Sequence, residues 1–250
     1  MWGYNGGAGI GNTSYCTTSS CRVISAGTFY GYFGNVGRAA NPLGRGMWAY
    51  NETNGNMAYC YTSGCRVISG AFVAGQTLQG IGVGNIVVNG TSGGVWANNN
   101  QNGNMSFCTT YRCKTISTGT FHATGGMVAK AIGNGLWAYR SSNGNVAYCT
   151  TLSWSIISVG SFIGNGGLVA DASGGGAWGY NFTSGDLGYC TTSSCSIISS
   201  GTFYDGIMTA TYNNGLFDDN CLNGDLAYCT GSGCTAISSG TFYSTKRAER

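Results

Sequence analysis

The residues of this chain best suited to chemistry are its cysteines. There are twelve, and ten fall into five pairs with the spacing C-x4-C: Cys16/Cys21, Cys60/Cys65, Cys108/Cys113, Cys190/Cys195 and Cys229/Cys234. Two chemistries use spacings of this kind. Opposed residues of antiparallel strands stand about 4.5–5.5 Å apart at Cα, which suits a disulfide across a tight turn. Zinc also takes C-x2–4-C pairs, but it needs four ligands, so two pairs would have to share one ion. Where the pattern returns around Cys149, Trp154 occupies the partner position. An apolar pair position tolerates that exchange and a metal site does not, so five disulfides are predicted. Each closes a short loop worth about 2 kcal/mol. Cys149 and Cys221 remain, to bridge to each other, stay reduced or cross-link subunits. This usage predicts an oxidising compartment, hence an extracellular or cell-surface protein.

Other reactive groups are few. His122 is the one histidine, which excludes most histidine metal sites and leaves a single imidazole as a general base. It follows Phe121 at the end of a predicted strand, where an ordinary loop histidine is expected. Asp218-Asp219, beside Asn220, suits either Ca²⁺ through hard oxygens or an edge charge that blocks sheet extension. No G-x-S-x-G, P-loop or H-E-x-x-H motif occurs. The runs Gly80-Ile-Gly82-Val-Gly84 and Gly174-Gly-Gly176 open no helix and read as turns. We therefore expect no catalytic residue, no metal, no cofactor and no enzyme. A last set is aromatic. Trp2, Trp48, Trp96, Trp137 and Trp178 recur, with Tyr4, Tyr50, Tyr139 and Tyr180 two residues on. That offset places both rings on one strand face. The face is either a packed core or a repeated platform for stacking on sugars, in which weak equivalent sites add by avidity.

The elements that position these residues follow from an internal repeat. The pattern W-x-Y-N-x-x-x-G-N-x-A-Y-C-T-T-S-x-C-x-x-I-S-x-G-T-F returns six times. It opens at Trp2, Trp48, Trp96, Trp137, Trp178 and Phe217, with Ile24, Ile68, Ile116, Ile157, Ile198 and Ile237 equivalent. In the fourth copy, Met127–Ile132, Leu136–Tyr139, Val146–Cys149 and Ser155–Ser158 are predicted strands. Gly133-Asn-Gly135 is a turn, and Asn143-Gly144 is a type I′ hairpin signal. No long stretch has a 3.6-residue period. The fold class is all-β: six tandem four-stranded antiparallel meanders of about 41 residues each. The units run 1–47, 48–95, 96–136, 137–177, 178–216 and 217–250 within a single repeat domain.

The segment Gly135-Leu-Trp-Ala-Tyr-Arg-Ser-Ser-Asn-Gly144-Asn-Val-Ala-Tyr148 resembles the blade repeat of β-propellers related to the quinoprotein dehydrogenases. The resemblance implies a β-propeller-like architecture. It departs from that repeat at Tyr148, where the blade motif ends in Trp, and the charged ring of cofactor ligands is missing. Only the architecture is carried over. The alternative is an open β-repeat array completed by a neighbouring chain. The first copy opens at Trp2 without the strand that precedes Trp elsewhere, and the tail Ser244-Thr-Lys-Arg-Ala-Glu-Arg250 is a poor strand.

Composition sets the remaining limits. The chain has 250 residues, 45 of them Gly and one Pro, with 42% hydrophobic and 8% charged residues. That excludes disorder and collagen, and no apolar run is long enough to span a membrane. The opening residues carry neither the basic nor the apolar segment of a signal peptide. Sequons start at Asn12, Asn51, Asn89, Asn104 and Asn181. Residues 1–165 hold eight bases and one acid, a net +7, whereas residues 166–245 hold six Asp and no base, a net −6. This polarity fits head-to-tail self-association. The bases are too sparse for nucleic acid. The expected role is a non-enzymatic extracellular structural or adhesive protein, a subunit of a surface or fibre-like assembly. The alternative is a multivalent glycan-binding, lectin-like propeller.

Overall fold

The computed structural model describes residues 2–5, 12–25, 38–41, 43–44, 46–50, 57–69, 86–89, 91–99, 103–120, 124–140, 142–160, 167–181, 184–201, 208–211, 215–220 and 223–240. Among these residues all regular structure is strand, arranged as six antiparallel meanders. The first sheet is β1 (Trp2–Asn5), β2 (Asn12–Cys16) and β3 (Cys21–Ser25). The second is β4 (Arg38–Ala40), β5 (Met47–Tyr50), β6 (Met57–Tyr61) and β7 (Gly64–Ser69). The third is β8 (Ile86–Val88), β9 (Val95–Asn99), β10 (Asn104–Cys108) and β11 (Cys113–Ser117). The fourth is β12 (Thr124–Ala129), β13 (Leu136–Arg140), β14 (Asn145–Cys149) and β15 (Trp154–Ser158). The fifth is β16 (Leu168–Ala170), β17 (Ala177–Asn181), β18 (Asp186–Cys190) and β19 (Cys195–Ser199). The sixth is β20 (Thr209–Ala210), β21 (Leu216–Asn220), β22 (Asp225–Thr230) and β23 (Gly233–Ser238). The chain divides into two compact units, Met1–His122 with the first three sheets and Ala123–Arg250 with the last three.

Each sheet is built on one cross-strand aromatic pair. Trp2 opposes Tyr15, Trp48 Tyr59, Trp96 Phe107, Trp137 Tyr148, Trp178 Tyr189 and Phe217 Tyr228. Their ring centroids are 4.6–5.2 Å apart in tilted or edge-on contact, the geometry that aromatic quadrupoles favour. The third-strand ring lies over the glycine preceding the Trp strand. A Cβ at Gly46, Gly135 or Gly215 would collide with Tyr59, Tyr148 or Tyr228, so the repeat keeps glycine there.

Within each unit the Trp face of one sheet packs on the small-residue face of the next. Trp48, Met57 and Tyr59 meet Val95, Ala97 and Cys108. Trp137, Tyr139 and Val146 meet Ala177 and Cys190, and Trp178 and Leu187 meet Leu216, Ala227 and Cys229.

Two local expectations need correction. The strand expected over Met127–Ile132 is displaced to Thr124–Ala129. Lys130 leaves the ladder because its N–H donates to Gly135 O at 2.8 Å and closes the turn. The Asn143-Gly144 pair is not a two-residue type I′ turn. The strands end at Arg140 and Asn145, leaving a four-residue loop. Gly144, at φ 68°, donates from N–H to Arg140 O at 2.8 Å. Gly185 and Gly224 repeat that bond at the same distance. Left-handed backbone at one loop position is what glycine supplies without strain.

Candidate functional site

The cysteine pairs are the third-to-fourth-strand staples of the sheets. Cys16–Cys21, Cys60–Cys65, Cys108–Cys113, Cys190–Cys195 and Cys229–Cys234 are disulfides with Cα separations of 3.9–4.0 Å. Their sulfurs are bonded to each other, which sets the zinc alternative aside. Among the described residues no group of three or more His, Cys, Asp or Glu could hold a metal. Five disulfides point to an extracellular or secreted protein. No helix among the described residues is long and apolar enough to cross a membrane. Cys149 is free and buried, and burial pushes its thiol up to about 12. Cys221, His122 and the 244–250 tail lie outside the described residues.

The aromatic set is core. Trp48, Trp96, Trp137 and Trp178 have no accessible surface, and Tyr139 has almost none. These rings cannot stack on a sugar, because they are fully buried, and the next sheet of the same unit covers Trp48, Trp137 and Trp178. Trp48 Nε1–H donates to Gly93 O at 3.0 Å and Trp137 Nε1–H to Thr191 O at 2.9 Å. Trp96 Nε1 and Trp178 Nε1 are buried without a partner. Burial, and then the nearby Tyr180, raises the Tyr139 hydroxyl to about 12. Trp2 and Tyr180 are half-buried, and the side chains of Tyr4 and Tyr50 lie outside the described set.

Among the described acids of the second unit, Asp171, Asp186 and Asp225 are tied into turns and sheet ends. Asp186 Oδ1 accepts the Gly201 N–H and Asp225 Oδ1 the Gly240 N–H, both at 3.0 Å. Asn104 and Asn145 do the same for Gly119 and Gly160 at 3.1 Å. Asp171 is buried. Its Oδ1 accepts the Ser173 N–H at 2.9 Å, and its Oδ2 accepts the Tyr189 hydroxyl at 2.8 Å. Asn41 holds the corresponding turn by accepting from Leu43 N–H, and its Nδ2 donates to the Tyr59 hydroxyl. Much of the charge polarity is therefore Asp standing in for Asn in turn-fixing roles. Three of the sequon asparagines are absorbed in the same way. Asn89 and Asn181 are buried turn caps and Asn104 ties the end of its sheet, while Asn51 lies outside the described residues.

Asp218 is the exception. It stands on β21 where the other sheets carry Gly3, Ala49, Ala97, Ala138 and Gly179, and it opposes Ala227. It is 1% exposed, and neither carboxyl oxygen has a hydrogen-bond partner. Burial, then the neighbouring Asp219, pushes its carboxyl up to about 7. The Ca²⁺ and edge-charge readings both fail for Asp218, because its carboxyl faces the packed layer beside Leu216 and Ala227.

The surface residues that the motif reading misses are on the outermost strands. In the first unit Arg22, Arg66 and Lys114 occupy one repeat position, opposite Tyr15, Tyr59 and Phe107. All three are exposed, as are Arg112, Tyr61 and Tyr111. In the second unit the same position holds Ser155, Ser196 and Thr235. Aligning the repeats by their cysteines gives this signal directly.

No protein-family model and no curated protein matches the chain. Solved structures do match, and they are β-propellers. The chain is similar to a chain of the nidogen/laminin complex (TM-score 0.52, 9% identity, 97% of this chain and 92% of that one). It is also similar to virginiamycin B lyase from Staphylococcus aureus, solved with quinupristin (0.57, 11%, 95% and 73%). A third is a 6-phosphogluconolactonase-like protein from Bacteroides uniformis (0.54, 14%, 96% and 81%). The fold is therefore all-β and β-propeller-like.

Proposed function

We propose that this chain is a non-enzymatic extracellular structural or adhesive repeat protein, a subunit of a surface or fibre-like assembly. One observation carries the reading. Among the described residues, most side chains that recur through the repeats are spent on building sheets: the Trp–Tyr pair on packing, the paired cysteines on staples, Asn and Asp on turns. A similar fold in the nidogen/laminin complex supports a role in protein–protein contact. The outermost strands of the second unit supply an associating edge. They are uncharged and expose Ile156, Ile197 and Ile237, and an unguarded apolar edge invites pairing with another chain. A glycan-binding reading survives only with different residues, since the Trp platform is buried.

Size-exclusion chromatography with light scattering, and negative-stain images of the same non-reduced sample, test this. Rings, filaments or discrete oligomers well above 25.8 kDa are expected. A compact monomer at all concentrations would overturn the assembly reading.

A further inference from the structure

We infer that the outermost hairpins of the first unit form a binding surface for a linear acidic polysaccharide, through Arg22, Arg66, Arg112, Lys114, Tyr61 and Tyr111. This rests on the adhesive half of the proposed function and names its ligand class.

Four observations converge. First, the cations are placed in register. Arg22, Arg66 and Lys114 hold one position on β3, β7 and β11, each directly across from an aromatic residue of the neighbouring strand. A polymer with a recurring negative charge can meet one cation per sheet, and the contacts add by avidity. Second, no acid neutralises them among the described residues of the unit. Residues 1–122 hold six bases and the single acid Glu52, and the described residues of the unit contain no acid. Third, two of these three hairpins expose an aromatic ring. Tyr111 is 75% exposed beside Arg112, and Tyr61 is exposed at the end of β6, its ring 4.8 Å from that of Tyr59. A tyrosine face offers an apolar body for a sugar ring and a hydroxyl for its polar rim. Fourth, all three hairpins are stapled, by Cys16–Cys21, Cys60–Cys65 and Cys108–Cys113, so little freedom is lost on binding.

The sparseness of the cations and the disulfide-permissive setting favour an acidic polysaccharide over nucleic acid. The second unit is a built-in control. Its equivalent strands carry Ser155, Ser196 and Thr235, and its Cys190–Cys195 hairpin has Ser193 and Ser194 where the Cys108–Cys113 hairpin has Tyr111 and Arg112.

The test uses the full non-reduced chain against immobilised polygalacturonate, dextran sulfate, neutral dextran and a thymidine oligonucleotide. Polygalacturonate supplies carboxylates and dextran sulfate supplies sulfates, so the two arms say which anion is preferred. Retention on at least one of them, none on neutral dextran and weaker retention on the oligonucleotide are expected. The triple variant Arg22→Ser, Arg66→Ser, Lys114→Ser copies the second unit's residues and should fold. It should lose about tenfold or more in affinity and much of the salt dependence. Tyr111→Ser should lose about threefold with the salt dependence unchanged. Three results would each overturn the inference: no retention on either anionic polymer, unchanged binding by the triple variant, or oligonucleotide binding as tight as polysaccharide binding and indifferent to Tyr111→Ser. Aggregation of the triple variant with binding unchanged would make the cations edge guards only. An assembling chain that ignores both polymers sinks this inference and leaves the proposed function standing. A monomer that binds them does the reverse.

Discussion

The outer hairpins of the fourth and fifth sheets differ in one covalent bond and in little else. In the fifth, Cys190 opposes Cys195 and the pair is a disulfide. In the fourth, Cys149 opposes Trp154 and its thiol is free. The register is the same in both, down to the irregularity between Val146 and Ala147 and that between Leu187 and Gly188. The turns also match. Thr150 N–H donates to Ser153 O and Thr191 N–H to Ser194 O, each at 2.8 Å. The threonine hydroxyl accepts in return from Ser153 N–H at 3.0 Å and Ser194 N–H at 3.2 Å. The staple therefore does not set the hairpin. The turn threonine and the aromatic pair set it, and the disulfide restricts the unfolded chain.

The largest expected effects lie in the aromatic pairs. Trp137→Ala and Trp178→Ala should each cost about 3–5 kcal/mol in denaturant unfolding, as large buried rings do. Trp137→Ala should cost about 1 kcal/mol more, because only Trp137 donates from Nε1 to a carbonyl, that of Thr191. Equal losses would mean that this bond contributes nothing net.

The sixth sheet extends the comparison to charge. The Asp218 carboxyl is raised in the fold to about 7 from an ordinary 3.8. Its proton therefore stabilises the fold fully below about pH 4, and that contribution is lost as pH rises to about 7. The slope is about 1.4 kcal/mol per pH unit and the total about 4 kcal/mol. Asp218→Ala should remove this slope and raise stability at pH 8 by about 2–4 kcal/mol, with little change at pH 4. Parallel stability–pH curves for the two proteins would contradict the burial of this group.

Next comes the staple itself. Replacing Cys190 and Cys195 together by Ser should cost about 2 kcal/mol, and Trp154→Cys should gain about the same or less in oxidised protein. Reductant should erase both differences. A loss well above 2 kcal/mol would mean that the disulfide shapes the native hairpin after all. The smallest effect is at the turn. Thr150→Val and Thr191→Val should each cost about 1 kcal/mol, and more clearly at position 150, where no disulfide assists.

Much of this fold is legible in the chain. Alternation at Leu136-Trp-Ala-Tyr139 gives a strand and its two faces, and the spacing from Cys190 to Cys195 gives the opposed pair. What alternation leaves open is which face another sheet covers. It puts Trp137 and Tyr139 together, yet it reads equally well as a core or as a sugar platform, because that choice depends on residues some forty positions away, Ala177 and Cys190. The same gap hides Asp218, whose burial comes from the preceding sheet. The Asn and Asp that tie the ends of the third to sixth sheets lie fifteen residues from their glycines, as in Asn145 and Gly160, beyond the reach of any local turn rule.

Every disulfide among the described residues joins cysteines only five apart. Correct oxidation therefore asks nothing of the rest of the chain. Each hairpin can close its own bond as soon as it leaves the ribosome or the secretion channel, in any order, and the right partner is always the nearest thiol. Once folded, the buried Cys149 offers almost no thiolate at neutral pH to attack a finished bridge. A protein with this many cysteines would ordinarily need an isomerase to sort them, and here the repeat length does the sorting.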